Sequence, residues 1–446
     1  MAPELEPNVP RGRGANIENE SNSPTLQHTN RAVKLSVECW YLLVGNFAAL
    51  CIFALYFSMV LSPLVIVCIV FAALYLGLIL YFFTGWLRLK RATGIGQLTT
   101  GKQPFVSIVI PTRNESENIK ASLESIFKQN YPADLYEVIM VDDYSTDPTI
   151  RYAKEIENPN LHIFNLMQYL GDPGEYVPNK KKAIALGIKN AKGELIITTD
   201  GDCTRGENWL TTMVNTYQQG NYKLLTGPVM VKPAYWPLQV FQQIDVMNLA
   251  GITGATLRNN FPTMCNGANL MYEKKTFHEV EGFKGNHDIP TGDDIFLMQK
   301  ISERYPGSVG YVKDFDACVF TRPESGLGSF IAQRKRWVSK SSRFSNVKVN
   351  LVLYFAYFFN LLIIGTAVYA GVMFFQDEFF WLPLAIAGGT KLFADLIFNI
   401  PVTIFFRKWY MLFILPFAEI MYVPYVVLIG PLSQTGRYRW KGRKVR

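Results

Sequence analysis

Charge is scarce in this chain: 18% of its 446 residues are Asp, Glu, Lys or Arg, where a soluble domain carries about 25%. The deficit is local. No charged residue occurs from Cys39 to Leu87, and none from Val349 to Gln376. A membrane-spanning helix needs about 20 mostly apolar residues. Both blocks therefore read as membrane-embedded, which excludes a purely soluble enzyme and a mainly disordered chain. Cysteine is sparse too. None of Cys39, Cys51, Cys68, Cys203, Cys265 and Cys318 stands in CxxC spacing, so neither a zinc site nor a disulfide framework is indicated. The four histidines (His28, His162, His278, His287) are scattered and argue against a His-built metal site. No GxxxxGKS/T and no GxGxxG follows a strand, which leaves a P-loop ATPase and a Rossmann dehydrogenase unsupported.

What is present divides the chain. Residues 1–36 hold Pro3, Pro7, Pro10 and Pro24 among polar residues and read as a flexible tail; no signal peptide is visible. Residues 37–90 read as two spans, about 40–61 and 64–86, separated at Ser62-Pro63, where a helix would break. Arg31 and Lys34 flank one end, and Arg88, Lys90 and Arg91 the other. Basic flanks favour the cytoplasmic side, and two spans place both flanks there. Residues 346–431 hold two further spans, 349–376 and 379–406, then a stretch at 409–431 interrupted by Glu419, Pro416, Pro424 and Pro431. That stretch reads as an interfacial or re-entrant segment. Lys391 and Asp395 share one face of the fourth span, either as a structural ion pair or as a polar lining for an acceptor path. The basic tail, 432–446, and both termini are then cytoplasmic. The net charge of +8 gathers beside apolar spans, so membrane topology explains it better than nucleic acid does.

Residues 91–345 are long enough for a catalytic domain. Short β-rich runs at Phe105–Ile110, Tyr136–Val141, Leu161–Asn165, Glu194–Thr198 and Leu224–Val231 alternate with helical stretches at Glu115–Lys128 and Lys181–Ala191. That alternation predicts an α/β, Rossmann-like domain with a mostly parallel sheet. Ligands in such sheets bind beyond the carboxyl ends of the strands, where polar clusters fall: Pro111-Thr112-Arg113-Asn114-Glu115, Asp142-Asp143 and Asp200-Gly201-Asp202. Each alone is compatible with turn chemistry; three at successive strand ends point to a site. Asp200-x-Asp202 offers oxygen ligands to a hard cation such as Mg²⁺ or Mn²⁺. Asp293-Asp294 opens an apolar helical stretch, as a cap or as a general base. Gln333-Arg334-Lys335-Arg336-Trp337 precedes the third span, as an interface anchor or as a diphosphate clamp.

Taken in order, these clusters, with Gly267-Ala268-Asn269-Leu270-Met271-Tyr272 between them, resemble the inverting family 2 glycosyltransferases of GT-A fold. Gln333, Arg336 and Trp337 match the QxxRW signature of membrane-integrated members, such as cellulose, chitin and hyaluronan synthases and ceramide glucosyltransferases. The resemblance covers about residues 104–340. It implies that Pro111, Asn114, Glu115, Asp142 and Asp143 contact a nucleotide-sugar donor, a UDP-sugar in this reading. It places Lys180 and Lys181 on the nucleotide side. Asp200 and Asp202 would hold the nucleotide and a Mg²⁺ or Mn²⁺ ion, with Asp202 the preferred direct ligand. Asp294 would be the base with Asp293 beside it, and Gln333, Arg336 and Trp337 would close over diphosphate and acceptor. Two departures stand out: Asp293 where the family has Glu, and Tyr144 where it has Gly. The resemblance leaves three outcomes: single transfer to a membrane lipid, a processive polysaccharide synthase, or an inactive scaffold. No protein partner is deducible.

Overall fold

The computed structural model describes residues 62–91, 102–171, 180–286, 292–340, 346–376, 379–434, 438–440 and 443–445. The expected tail and first span, 1–36 and 40–61, lie outside the described residues. The chain divides into two units, Met1–Ile66 and Val67–Arg446, and everything below concerns the second.

Ten strands matter here: β1 Val106–Thr112, β2 Tyr136–Asp142, β3 Leu161–Asn165, β4 Leu195–Thr198, β5 Thr204–Arg205, β6 Leu224–Thr226, β7 Val229–Val231, β8 Leu270–Glu273, β9 Val309–Tyr311 and β10 Val319–Thr321. Seven form one sheet in the order β3-β2-β1-β4-β8-β6-β9, and β5-β10-β7 form a second. The strands β3, β2, β1 and β4 pair in parallel, as do β6 and β9, but β8 runs antiparallel to both neighbours. The large sheet is therefore mixed, not mostly parallel. The chain reaches β8 from helix Pro237–Arg258 and enters the sheet from the opposite end. The run 224–231 also divides. Gly227-Pro228 separates β6 from β7, and each half joins a different sheet.

Strand β1 shows why the site lies where it does. All seven of its residues are buried, as expected of a central strand covered on both faces. It runs two residues past the expected Ile110, because Pro111 and Thr112 still pair with Val141 and Asp142. Helix α1 follows, Ile119–Phe127, and starts later than Glu115. Residues 115–118 form a turn instead, in which Asn118 N–H donates to Glu115 O at 2.8 Å. That leaves Glu115 at the strand end. Helix α2, Lys180–Asn190, packs on β1 and β2, and the turn after it is tight. A Cβ on Gly193 would lie 2.6 Å from Ser107 N and 2.9 Å from Leu195 O. These are backbone atoms that cannot swing away. Gly193→Ala is expected to destabilise the domain by about 1–3 kcal/mol, read as a lower denaturation midpoint; an unchanged midpoint would contradict this packing.

Among the described residues, four helices are long and apolar enough to cross a membrane: Pro63–Arg88, Val347–Met373, Leu382–Phe405 and Leu415–Gln434. They are consistent with a multi-pass membrane protein. The stretch expected to be interfacial thus contains a continuous 20-residue helix. Glu419 is tolerated in it because Lys391 of the preceding helix forms an ion pair with it. The same Lys391 donates to Asp395 at 2.7 Å, and Tyr75 O–H donates to Asp395 Oδ1 at 2.6 Å. Charges in an apolar bundle persist when they are paired inward. The charged residues therefore tie three of the helices together. Lys313, just past β9, donates to Trp86 O and Leu89 O at 2.6 and 3.1 Å. It satisfies carbonyls left open at the end of helix Pro63–Arg88 and ties that helix to the sheet.

Candidate active site

The ends of β1 and β2 form one side of the site. Asp142 is 1% exposed; its Oδ2 accepts from Ser145 N–H at 3.0 Å, while Oδ1 has no hydrogen-bond partner among the described residues. Burial raises its pKa, and the Ser145 bonds work against that rise. Asp143 is equally buried, and its N–H donates to Thr112 O at 2.7 Å. The loops are locked by side chains. Arg113 Nη1 donates to the carbonyls of Asp143 and Tyr144 at 2.6 and 2.7 Å, and Asn114 Oδ1 accepts from Thr146 N–H at 2.8 Å. Asn114 and Tyr144 have φ of 49° and 55°, a region that suits Asn but strains a bulky residue. This strain is the cost of the Tyr at the family's Gly position. It is offset by burial of the ring and by a hydrogen bond from Tyr144 O–H to Gly171 O at 3.0 Å.

The Asp200-Gly201-Asp202 turn packs directly on this side. A Cβ on Gly201 would meet Thr112 Cγ2 at 2.9 Å and Glu115 Cγ at 3.2 Å. Glu115 itself accepts from Asn118 Nδ2 at 2.9 Å. Asp200 Oδ1 accepts from Lys180 Nζ at 2.6 Å, and Lys180 also lies 3.5 Å from Asp293 Oδ2. Burial opposes the charge on Lys180, but Asp200 and Asp293 outweigh it and hold its pKa above the ordinary lysine value. Lys181 is directed elsewhere: it donates to Asn286 O at 2.6 Å, and burial lowers its pKa to about 8. Asp202 accepts from Thr321 O–H at 3.0 Å and from the Cys203 thiol at 3.2 Å.

Asp294 sits in the first turn of α3, Asp293–Arg304. Its Oδ1 accepts from Ile295 N–H at 2.8 Å and Lys340 Nζ at 3.2 Å, and its Oδ2 accepts from Gly267 N–H at 3.2 Å. Burial would raise its pKa, but Lys340 and Lys180 win and hold it below the usual carboxylate range. Helix α4, Leu327–Val338, carries the basic cluster. There Gln333 Nε2 donates to Glu324 Oε1 at 3.0 Å.

A cavity of about 950 Å³ brings together Lys180, Asp200, Asp202, Asp293, Asp294, Gln333, Arg336 and Trp337. Its wall continues onto apolar side chains of three long helices, among them Phe82, Leu353 and Ile429. Pro111, Asn114, Glu115, Asp142, Asp143 and Lys181 are not in this wall; the first five stand at the neighbouring strand ends. The sequence reading missed Lys340, Thr321 and an ion pair between Arg334 and Asp245 at 2.9 Å. One signal for Asp245 was available: it is a lone acid in the mostly uncharged stretch 237–257. Among the described residues, no three His, Cys, Asp or Glu side chains cluster as a metal cage. The Asp200–Asp202 pair suits a cation that completes its shell with phosphate and water oxygens.

A GT-A-like sheet with carboxylates at its strand ends, beside helices of membrane-spanning length, defines a sugar-transferring enzyme. The match to Glycosyl transferase family 2 covers residues 107–280, and that to Glycosyl transferase family group 2 covers residues 195–429. The chain belongs to this glycosyltransferase family. It is 32% identical to Glycosyltransferase AglE of Haloferax volcanii over 224 residues, which is 50% of this chain and 69% of that protein. It is 34% identical to a dolichyl N-acetyl-alpha-D-glucosaminyl phosphate glucuronosyltransferase of Methanococcus voltae over 115 residues, 26% of this chain and 34% of that one. Among solved structures, the mannosyltransferase PcManGT of Pyrobaculum calidifontis, in complex with GDP-Man and Mn²⁺, aligns with a TM-score of 0.51. That likeness covers 83% of this chain and 99% of the other at 17% identity, and is one of fold.

Proposed function

We propose that the protein transfers one sugar from a nucleotide-sugar, a UDP-hexose in the first instance, to a lipid acceptor, with inversion at the anomeric carbon. The observation that carries this is the shared cavity, whose wall joins the carboxylates to apolar faces of membrane-type helices. A lipid lying along those faces would present its hydroxyl to the sugar without leaving the bilayer. In this reading Asp142, Asp143, Pro111, Asn114 and Glu115 hold the base and ribose, and the open Oδ1 of Asp142 accepts from the base. Lys180 and Lys181 belong to the nucleotide side, Lys181 by fixing the helix start through Asn286. Asp294 removes the acceptor proton as the hydroxyl attacks. Gln333, Arg336 and Trp337 close over diphosphate and acceptor, and Arg336 stabilises the charge on the departing nucleotide.

Asp202 and Asp200 would hold a Mg²⁺ or Mn²⁺ ion, which supplies charge stabilisation at the diphosphate. The presence of Mn²⁺ and GDP-Man in the PcManGT structure and the dolichyl-linked acceptor named for the M. voltae relative support a metal-assisted, lipid-directed reading. The basic flanks Arg88, Lys90, Arg91, Arg407 and Lys408 support a cytoplasmic catalytic domain. Purified protein in lipid nanodiscs, given a panel of radiolabelled UDP- and GDP-sugars, is expected to yield a lipid carrying one sugar. A long polymer would establish the processive reading instead, and no nucleotide release with any donor and metal would leave the scaffold reading.

A further inference from the structure

Arg334 occupies the second position of the Gln333–Trp337 cluster, and none of the roles above uses it. It is 1% exposed, and its ion-pair partner Asp245 is 4% exposed. The guanidinium lies between two rings, with its carbon 4.1 Å from the centre of Trp337 and 4.9 Å from that of Phe330. Phe241 and Tyr425 complete an aromatic box, each within 6.0 Å of Phe330 and 5.6 Å of one another. Arg334 Nη2 is 2.9 Å from Asp245 Oδ2. Yet Nε, Nη1 and Nη2 of Arg334, and Oδ2 of Asp245, have no hydrogen-bond partner at usable angles among the described residues. Leaving such groups unmade is costly. Both residues line the cavity, so whatever fills the cavity is what can satisfy them.

The pair also restricts what that filling can be. Its charges cancel, while Arg334 offers only donors and Asp245 only acceptors. A ligand that completes both must itself donate and accept. A phosphate only accepts in its ionised form, and would set a second anion against Asp245. Around the whole wall, among the described residues, five basic side chains stand against five acidic ones. A divalent cation and a nucleoside diphosphate sugar cancel as well, which leaves no surplus positive charge for an anionic acceptor.

Resting on the lipid-acceptor reading, we infer that the Arg334–Asp245 pair is the headgroup subsite of the acceptor. It takes an uncharged lipid headgroup bearing hydroxyl or amide groups, in preference to a lipid phosphate. Binding is tested without donor, so that the result does not depend on turnover. N-acylsphingosine, dioleoylglycerol and a polyprenyl phosphate are titrated into the full-length protein and followed by native mass spectrometry. At least one uncharged lipid is expected to bind more tightly than the polyprenyl phosphate, and to lose about tenfold or more in affinity in Arg334→Met and Asp245→Asn. Should Arg334→Met fail to fold, Arg334→Lys, which keeps the charge but loses the planar fork, replaces it with the same expectation. Tighter binding of the polyprenyl phosphate, strengthened further by Asp245→Asn, would overturn the inference. So would failure of both uncharged lipids to bind, or unchanged affinity in the variants. Nucleotide release by the wild-type protein in the same preparation tests the transferase reading separately.

Discussion

Asp294→Asn is expected to slow sugar transfer by about 10²- to 10⁴-fold, the usual worth of a positioned general base, while nucleotide binding stays near normal. The two acids that open α3 face different partners. Asp293 is drawn to Lys180 and through it to Asp200, on the donor side. Asp294 is held by backbone N–H groups of Gly267 and Ile295 and by Lys340. Two fixed amides set the orientation of its carboxylate, and the amide side chain of Asn keeps the shape but cannot take the proton. The sign of the pH dependence follows. Burial opposes ionisation, but Lys340 and Lys180 overcome it, so the folded pKa is lowered. The base therefore stays ionised as pH falls through the ordinary carboxylate range, and activity is lost only below it. Initial rates of transfer against pH, with nucleotide affinity from calorimetry, check both points. Near-normal turnover in the variant would remove Asp294 from this role.

Much of this arrangement was legible because it is local. A buried strand announces itself as an apolar run, and polar residues directly after it lie at the strand end; Val106–Thr112, Tyr136–Asp142 and Leu195–Thr198 obey that rule. Where a local signal was ambiguous, tertiary pairing decided. The run 224–231 looks like one strand, but Pro228 interrupts it and its halves enter separate sheets. The antiparallel β8 has the same composition as a parallel strand, and only the path of the preceding helix sets its direction. Glu419 looks like a mark against a membrane helix until Lys391 is seen beside it. Tyr75 and Asp395 meet across 320 positions, and Arg334 meets Asp245 between two helices. No periodicity in the chain encodes such contacts. They are choices of partner made when the helices pack.

Asp202→Ala is expected to weaken metal-supported donor binding and to lower turnover by about 10²- to 10³-fold, comparable to removing one preorganised stabiliser of developing charge. The two acids of the Asp200-Gly201-Asp202 turn are not equivalent. Asp200 is already matched by Lys180 at 2.6 Å. Asp202 meets a hydroxyl, from Thr321, and a thiol, from Cys203. No lysine or arginine forms a salt bridge with it among the described residues. A carboxylate whose charge is not internally cancelled, in a cavity wall, attracts a hard cation most strongly, and its two neutral donors are readily displaced or retained on the second lone pairs. Asp200→Ala should act differently, because it frees the Lys180 ammonium toward the diphosphate and leaves the cation-binding oxygens of Asp202 in place. Nucleotide release is followed as Mn²⁺ is titrated into chelator-treated protein. Asp202→Ala is expected to shift the half-saturating Mn²⁺ concentration upward by at least tenfold, and Asp200→Ala by less. An unchanged Mn²⁺ dependence in Asp202→Ala would transfer the ligand role to another group, because a residue that only shapes the turn would alter the rate without altering the metal concentration at which it saturates.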